Sequence, residues 1–302
     1  MKKEIPKFDE LLQRYADEYD AFLEKQHTFW QENPEMENTY DTVIQEVNNI
    51  IDDFGLDEEH LNPNEIKDIT YFYSINPESP YYVDGISEEF KDHYGFMARD
   101  VNGGGFHFDG KILINIERTE GNIFFFVSAH ELSHLVVDRC LEKAGKHIAN
   151  DTEFLNEGLV DSVAQYIGIR LGKELPEELI RDESKIFNIF FNQLIQTVQD
   201  NEHINEEQAT YKVRKAIGFL LTKGEWEGLV QIAELAYGEN GLEKILVFGK
   251  QALEAQKKAH TAYLKFNTRH TFLNKRRFAK LRKEYFEAST ILWNAVKYKV
   301  FE

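Results

Sequence analysis

From Asn122 to Gly145 the chain reads NIFFFVSAHELSHLVVDRCLEKAG, with no proline before the closing glycine. Apolar side chains fall on every side of a helix drawn through it (Phe124, Phe125, Leu132, Leu135, Val136, Leu141). Such a helix must be wrapped by the rest of the chain. Its middle nevertheless holds His130, Glu131 and His134. Residues i and i+4 lie one above the other on a helix face. The imidazoles of His130 and His134 can therefore address one ion, each at about 2.0–2.1 Å if it is zinc. Glu131 is turned by about 100° from His130 and lies beside that face, where a general base can take a proton from an activated water. The competing reading is a pair of core histidines with ordinary partners. A metal is one way to satisfy a buried ring nitrogen.

A third ligand is expected on the following helix, DTEFLNEGLVDSVAQYIGIRLG, beyond the turn at Gly145. Glu157 stands there, 23 residues after His134, and Asp161 follows one helical turn later. A carboxylate at Asp161 can accept the outer N–H of a ligating histidine and fix its tautomer. Taken alone, Glu157 and Asp161 also describe an ordinary acidic helix face.

AHELSH followed by LNEGLVD resembles the gluzincin metallopeptidases, whose pattern is HExxH with a downstream glutamate, often within Asn-Glu-Gly. The resemblance covers roughly residues 105–170. It implies His130, His134 and Glu157 as ligands of Zn2+, Glu131 as base and proton shuttle, and Asp161 behind the ligands. It also implies a Tyr or His from the C-terminal lobe that steadies the oxyanion. Tyr211 is taken first for that role, ahead of His203 and Tyr237. The stretch GKILIN…AHELSH is also similar to the small bacterial metallopeptidases that cleave phage or stress-response repressors, the ImmA/IrrE type. The expected activity is peptide-bond hydrolysis by a zinc-activated water. The alternative is a zincin fold used without catalysis, as a binding or regulatory protein.

Around this centre the expected fold is α+β and mainly helical. A zincin-like lobe with a small mixed sheet and the metal helix precedes a helical C-terminal lobe. The expected division is 1–60 for an N-terminal helical segment, 61–172 for the catalytic lobe and 173–302 for the helical lobe. Two amphipathic helices open the chain, the second closed by Gly55 as a C-cap. ITYFYSI at 69–75 predicts a strand, and YGFMARDV at 94–101 a weaker one. In GGGFHFDGKILINIE, Asp109-Gly110 between two β-prone runs predicts a tight hairpin. Its second arm should turn Ile112, Ile114 and Ile116 to one face, and Leu113 and Asn115 to the other. The glycines leave room for another backbone to come close. The resemblance makes 111–117 the edge strand along which a peptide or protein substrate lies. His107 beside the glycines either touches substrate or faces solvent.

A net charge of −18 argues against nucleic acid as the main partner. The charge is uneven, however. Residues 241–302 hold fourteen Lys and Arg against five acids, a balance of +9, which leaves −27 on the first 240. The segment NKRRFAKLRKEYF predicts an amphipathic helix that docks Phe278, Leu281, Tyr285 and Phe286 onto an acidic lobe; a nucleic-acid surface is the alternative. No stretch approaches the roughly 18 apolar residues of a membrane span. MKKEIPKFDELLQRY lacks the apolar core of a signal peptide. The one cysteine, Cys140, fits a reducing compartment. A cytoplasmic protein is expected.

Overall fold

The computed structural model describes residues 16–56, 60–74, 76, 78, 79, 81, 104–108, 110–119, 121–143, 145, 153–173, 182–269, 275–284, 286, 287 and 290. The weak strand expected at 94–101 lies outside them. As the periodicities predict, the fold is α+β and mainly helical, with one small mixed sheet. The chain forms two compact units, Met1–Cys140 with Ser162–Leu179, and Leu141–Asp161 with Ile180–Glu302.

In the first unit, helix α1 (Ala16–Glu32) stops at Asn33, and α2 (Pro34–Phe54) starts with proline in its first turn. Proline is pre-set for that position, where its missing N–H costs no hydrogen bond. Gly55 closes α2 in the left-handed conformation at φ 66°, donating its N–H back to the last turn, as a C-cap glycine does. A short α3 (Pro63–Asp68) is capped by the Asn62 side chain and leads into strand β1 (Thr70–Tyr73). Strands β2 (Gly105–Phe108) and β3 (Lys111–Asn115) form the hairpin. Phe108 pairs with Lys111 across a two-residue turn in which Gly110 takes φ 69°. After a single 3₁₀ turn at Ile116–Arg118 the chain enters helix α4 (Asn122–Lys143). The later part of helix α5 (Glu153–Arg170) completes this unit.

An aromatic cluster seats α4 on the sheet. Phe29 stacks on Phe72 at 3.4 Å, Trp30 stacks on Tyr40 at 5.1 Å, and Phe124 of α4 approaches Tyr40 and Phe72 at 6.0 and 6.5 Å. Each such ring removed from water contributes on the order of 1.5–3 kcal/mol. Gly168 of α5 lets the Phe126 ring lie directly on its backbone, since a Cβ there would come within 2.6 Å of that ring.

The strand order is β1-β3-β2, with β3 parallel to β1 and antiparallel to β2. This corrects the expectation that 111–117 is an edge strand: β3 is the central strand, and both of its edges are consumed. It also explains why Ile112, Leu113, Ile114 and Asn115 are all buried rather than alternating. A strand paired on both sides and covered on both faces has no wet side. Ile116 falls outside the strand because the Asn115 side chain accepts from the Glu117 N–H and turns the chain into the 3₁₀ helix.

The outer edge of β1 is closed. The Gln26 amide donates to Phe72 O and accepts from Phe72 N–H, at 2.9 and 2.7 Å, and the Ser74 N–H donates to Tyr81 O. Along the β2–β3 ladder, Asn115 N–H donates to Gly104 O. Hydrogen-bonded pairs alternate in an antiparallel ladder, so Phe106:Leu113 and Phe108:Lys111 are the next bonded pairs. Gly105 and His107 then direct their N–H and C=O groups outward. Among the described residues, β2 is the strand with an open edge.

The second unit is helical. It holds α6 (Asp182–Glu202), α7 (Glu206–Lys223), α8 (Glu227–Tyr237) and α9 (Gly241–Arg269), with the first half of α5. Asn205 and Gln208 form a reciprocal capping box at the start of α7, and Gly224 closes it at φ 66°. Phe154, Phe187, Phe190 and Phe191 fill the core. Gly249 of α9 lies against the Phe154 ring, where a Cβ would come within 2.4 Å. Residues 275–284 are helical, with Lys275, Arg276, Arg277, Lys280, Arg282 and Lys283 exposed and Phe278 and Leu281 half-buried. Phe286, expected among the docking residues, is 53% exposed, with the Arg282 guanidinium 5.4 Å from its ring centre. Tyr285 lies outside the described residues. No helix among the described residues is long and apolar enough to cross a membrane.

Candidate metal centre

His130 and His134 rise from successive turns of α4 with their rings 4.6 Å apart and nearly perpendicular. Their Nε2 atoms are 3.0 Å from each other. Both side chains are half-buried, in a helix whose other faces are buried by Ala129, Leu132, Leu135 and Val136. Glu157, from the second turn of α5, joins them. His130, His134 and Glu157 each offer one ligand atom, and these atoms all lie within 4.8 Å of one another. Among the described residues this is the group able to hold a metal ion. Two imidazole nitrogens and a carboxylate oxygen are a donor set that suits a borderline divalent cation.

Glu131 is 5% exposed. Its stem lies against β2: a Cβ built on Gly105 would fall 3.3 Å from Glu131 Cγ, 2.8 Å from Val127 Cγ1 and 2.9 Å from Leu113 O. One built on Gly104 would meet Val127 Cγ2 at 2.4 Å. The glycine run therefore does permit a close approach, but what comes close is helix α4, through Val127 and Glu131. Near Glu131 stands the fully buried Tyr40. Burial raises its hydroxyl above the usual phenol range; a hydrogen bond to Thr70 opposes the rise, and the Glu131 charge adds to it. The Thr70 hydroxyl donates to Ile66 O, so the Tyr40 hydroxyl donates to Thr70 Oγ1 at 2.8 Å. Tyr40 stays neutral with its proton committed away from the carboxylate.

The Asn-Glu-Gly element has a packing reason that the sequence does not disclose. A Cβ on Gly158 would lie 2.0 Å from Phe187 Cγ. The glycine beside Glu157 is thus the seat on which the first turns of α6 rest. Asp161, one turn further along α5, accepts a hydrogen bond from Ser184 Oγ of the same helix α6.

The remaining expected residues are placed as follows. Tyr211 is 40% exposed on α7, and its hydroxyl accepts from Lys215 Nζ at 3.2 Å. His203 is exposed at the end of α6 in a left-handed conformation, φ 54°. Tyr237 is buried in the second unit with its ring 6.3 Å from Phe190, and burial raises its hydroxyl above the usual range.

His107 is neither at the surface nor free. Its side chain is 7% exposed, and Nδ1 lies 3.0 Å from Asp138 Oδ2. Its Nε2 is buried with no hydrogen-bond partner among the described residues, a state that costs about 1–3 kcal/mol. Asp138 carried no assignment in the sequence, although its spacing was a signal: it continues the i, i+4 series of His130 and His134 by one more turn.

Comparison of the chain with family models, with curated proteins and with solved structures finds no match.

Proposed function

We propose that the chain is a metal-dependent hydrolase and, more narrowly, a zinc peptidase. The observation that carries this reading is the meeting of His130, His134 and Glu157 within 4.8 Å beside a buried glutamate, Glu131. Two ligands of a tetrahedral zinc stand roughly 3.3 Å apart, given bonds of about 2.0–2.1 Å; the histidine nitrogens stand at 3.0 Å. The three protein donors match the His₂Glu set of catalytic zinc sites, which leaves a fourth position for water or substrate.

When bound, zinc supplies a Lewis acid that acidifies a water towards a pKa of about 7 and polarises a carbonyl. Glu131 accepts the proton of the attacking water and returns it to the leaving amine. Its burial keeps bulk water from competing for that proton. An extended peptide adds to the open edge of β2, taking main-chain hydrogen bonds from Gly105 and His107. By the resemblance alone, Tyr211 is the residue that would steady the oxyanion. Tyr211→Phe is expected to lower kcat by about 10²-fold, the usual cost of one such donor. A turnover number unchanged in that variant removes the assignment.

The test of the reading itself is metal analysis of protein purified without added metal, joined to cleavage of a diverse quenched-peptide library. One zinc per chain and cleavage are expected. Zinc held with no peptide cut would leave the idle zincin in its place. Glu157→Gln and His134→Ala should each weaken zinc binding by more than about 10²-fold, since losing even an outer partner of a ligand costs 10–100-fold. Equal retention by competition with a chelator would remove these residues as ligands.

A further inference from the structure

Strand β2 lies along one stripe of α4. Gly105 meets Val127 and Glu131, and two residues on His107 meets Asp138. Val127, Glu131 and Asp138 fall within about 40° of each other on the helix at 100° per residue, and His134 falls in the same stripe. The strand is therefore held to the metal helix at two heights, once by a missing side chain and once by an imidazole.

The same two residues are the ones whose main-chain N–H and C=O groups point to the open edge. In a pleated strand the side chain and the outward peptide groups of one residue move together. A contact that fixes the His107 ring therefore fixes the peptide-binding groups of His107. Among the described residues the ring has one partner: Nδ1–H donates to Asp138, while Nε2 is buried with no hydrogen-bond partner. An apolar residue would fill that space without leaving a buried nitrogen bare.

We propose that His107 and Asp138 form a clamp that sets the height of the peptide-binding edge over the metal helix, and hence the place of a bound peptide relative to His130, His134 and Glu131. Both are positioning residues, and the proposal rests on the peptidase reading above. Glu131 is held by its own helix and by Gly105, so the clamp acts on the substrate side and leaves the base in place. Losing it shifts the strand, and with it the carbonyl to be attacked. A displacement of about 1 Å at this distance from the chemistry can cost on the order of 10²-fold in rate.

The experiment uses full-length, zinc-loaded protein and the variants Asp138→Ala, His107→Ala and Asp138→Asn. Amide exchange is followed at Phe106 and Leu113, whose N–H groups the β2–β3 ladder protects. Hydrolysis is followed with the quenched peptide cut best by the wild type. In both alanine variants, protection at Phe106 and Leu113 should fall at least tenfold while zinc content and the protection of α4 stay unchanged. The kcat should fall about 10²-fold with KM changed much less. Asp138→Asn keeps an oxygen that accepts the Nδ1–H, so it should recover most of both losses. Unchanged protection in the alanine variants overturns the clamp. Lost protection with kcat intact overturns the positioning role and leaves a structural contact only. If the wild type cuts no peptide, the peptidase reading fails by itself, and the exchange measurement still decides whether the clamp exists.

Discussion

Glu131→Gln is expected to lower kcat by about 10²–10⁴-fold, the range supplied by a positioned acid–base group, while the protein still holds one zinc. The two side chains have the same shape, so the pocket that Val127, Gly105 and the β2 backbone make around the stem is filled equally well. Glutamine can donate and accept hydrogen bonds but cannot take up a proton from water near neutral pH. The proposed ligands are His130, His134 and Glu157, none of which is altered, so metal content separates a chemical defect from a folding defect. Because Glu131 is 5% exposed, a bulk-solvent base has no route to replace it. Full turnover in this variant would remove Glu131 from the reaction, and the hydrolase reading would then have no base on α4.

Gly158→Ala is expected to destabilise the protein by about 1–3 kcal/mol, the cost of forcing a methyl into a filled core. For a domain of this size that corresponds to roughly 2–12 °C in Tm. The new Cβ would fall 2.0, 2.2 and 2.4 Å from Cγ, Cδ2 and Cβ of Phe187. These atoms belong to the base of the ring and its stem, which cannot swing aside as the tip of a flexible chain could. Alanine is the better helix former by about 1 kcal/mol, and this gain is too small to offset a contact at that distance. The helices must part, and Glu157 on the preceding position moves with α5. Zinc affinity should fall together with Tm. A Gly158→Ala protein with unchanged Tm and zinc content would show that the helices are not seated as described.

Helix α4 was legible because its signals are local. Helical spacing alone brings His130 and His134 onto one face, and an apolar surround on all sides marks the helix as interior. The Gly55 cap and the turn at Gly110 were legible for the same reason: each is a backbone conformation that few residues besides glycine adopt. Glu157 was reached by looking one helix downstream. Its convergence with the histidines, though, is a property of how α4 and α5 meet. The clamp and the seat were missed. His107 and Asp138 lie 31 positions apart, and nothing in that spacing marks them as a contact.

Sheet order failed from sequence for an instructive reason. A run such as KILIN reads alike at the edge and in the middle of a sheet, since its partners are remote: Thr70 pairs with Ile112 across forty-two positions. Closure of the β1 edge by Gln26 spans a similar gap, 46 positions to Phe72. Periodicity, caps and turns depend on neighbours a few residues away, and the sequence by itself determined those: the helices, the hairpin and the histidine pair. Which strand keeps an open edge among the described residues, which glycine carries a phenyl ring and which carboxylate holds His107 were decided by tertiary structure alone. They depend on close packing between segments far apart in the chain, where a contact forms only once the whole surround is in place.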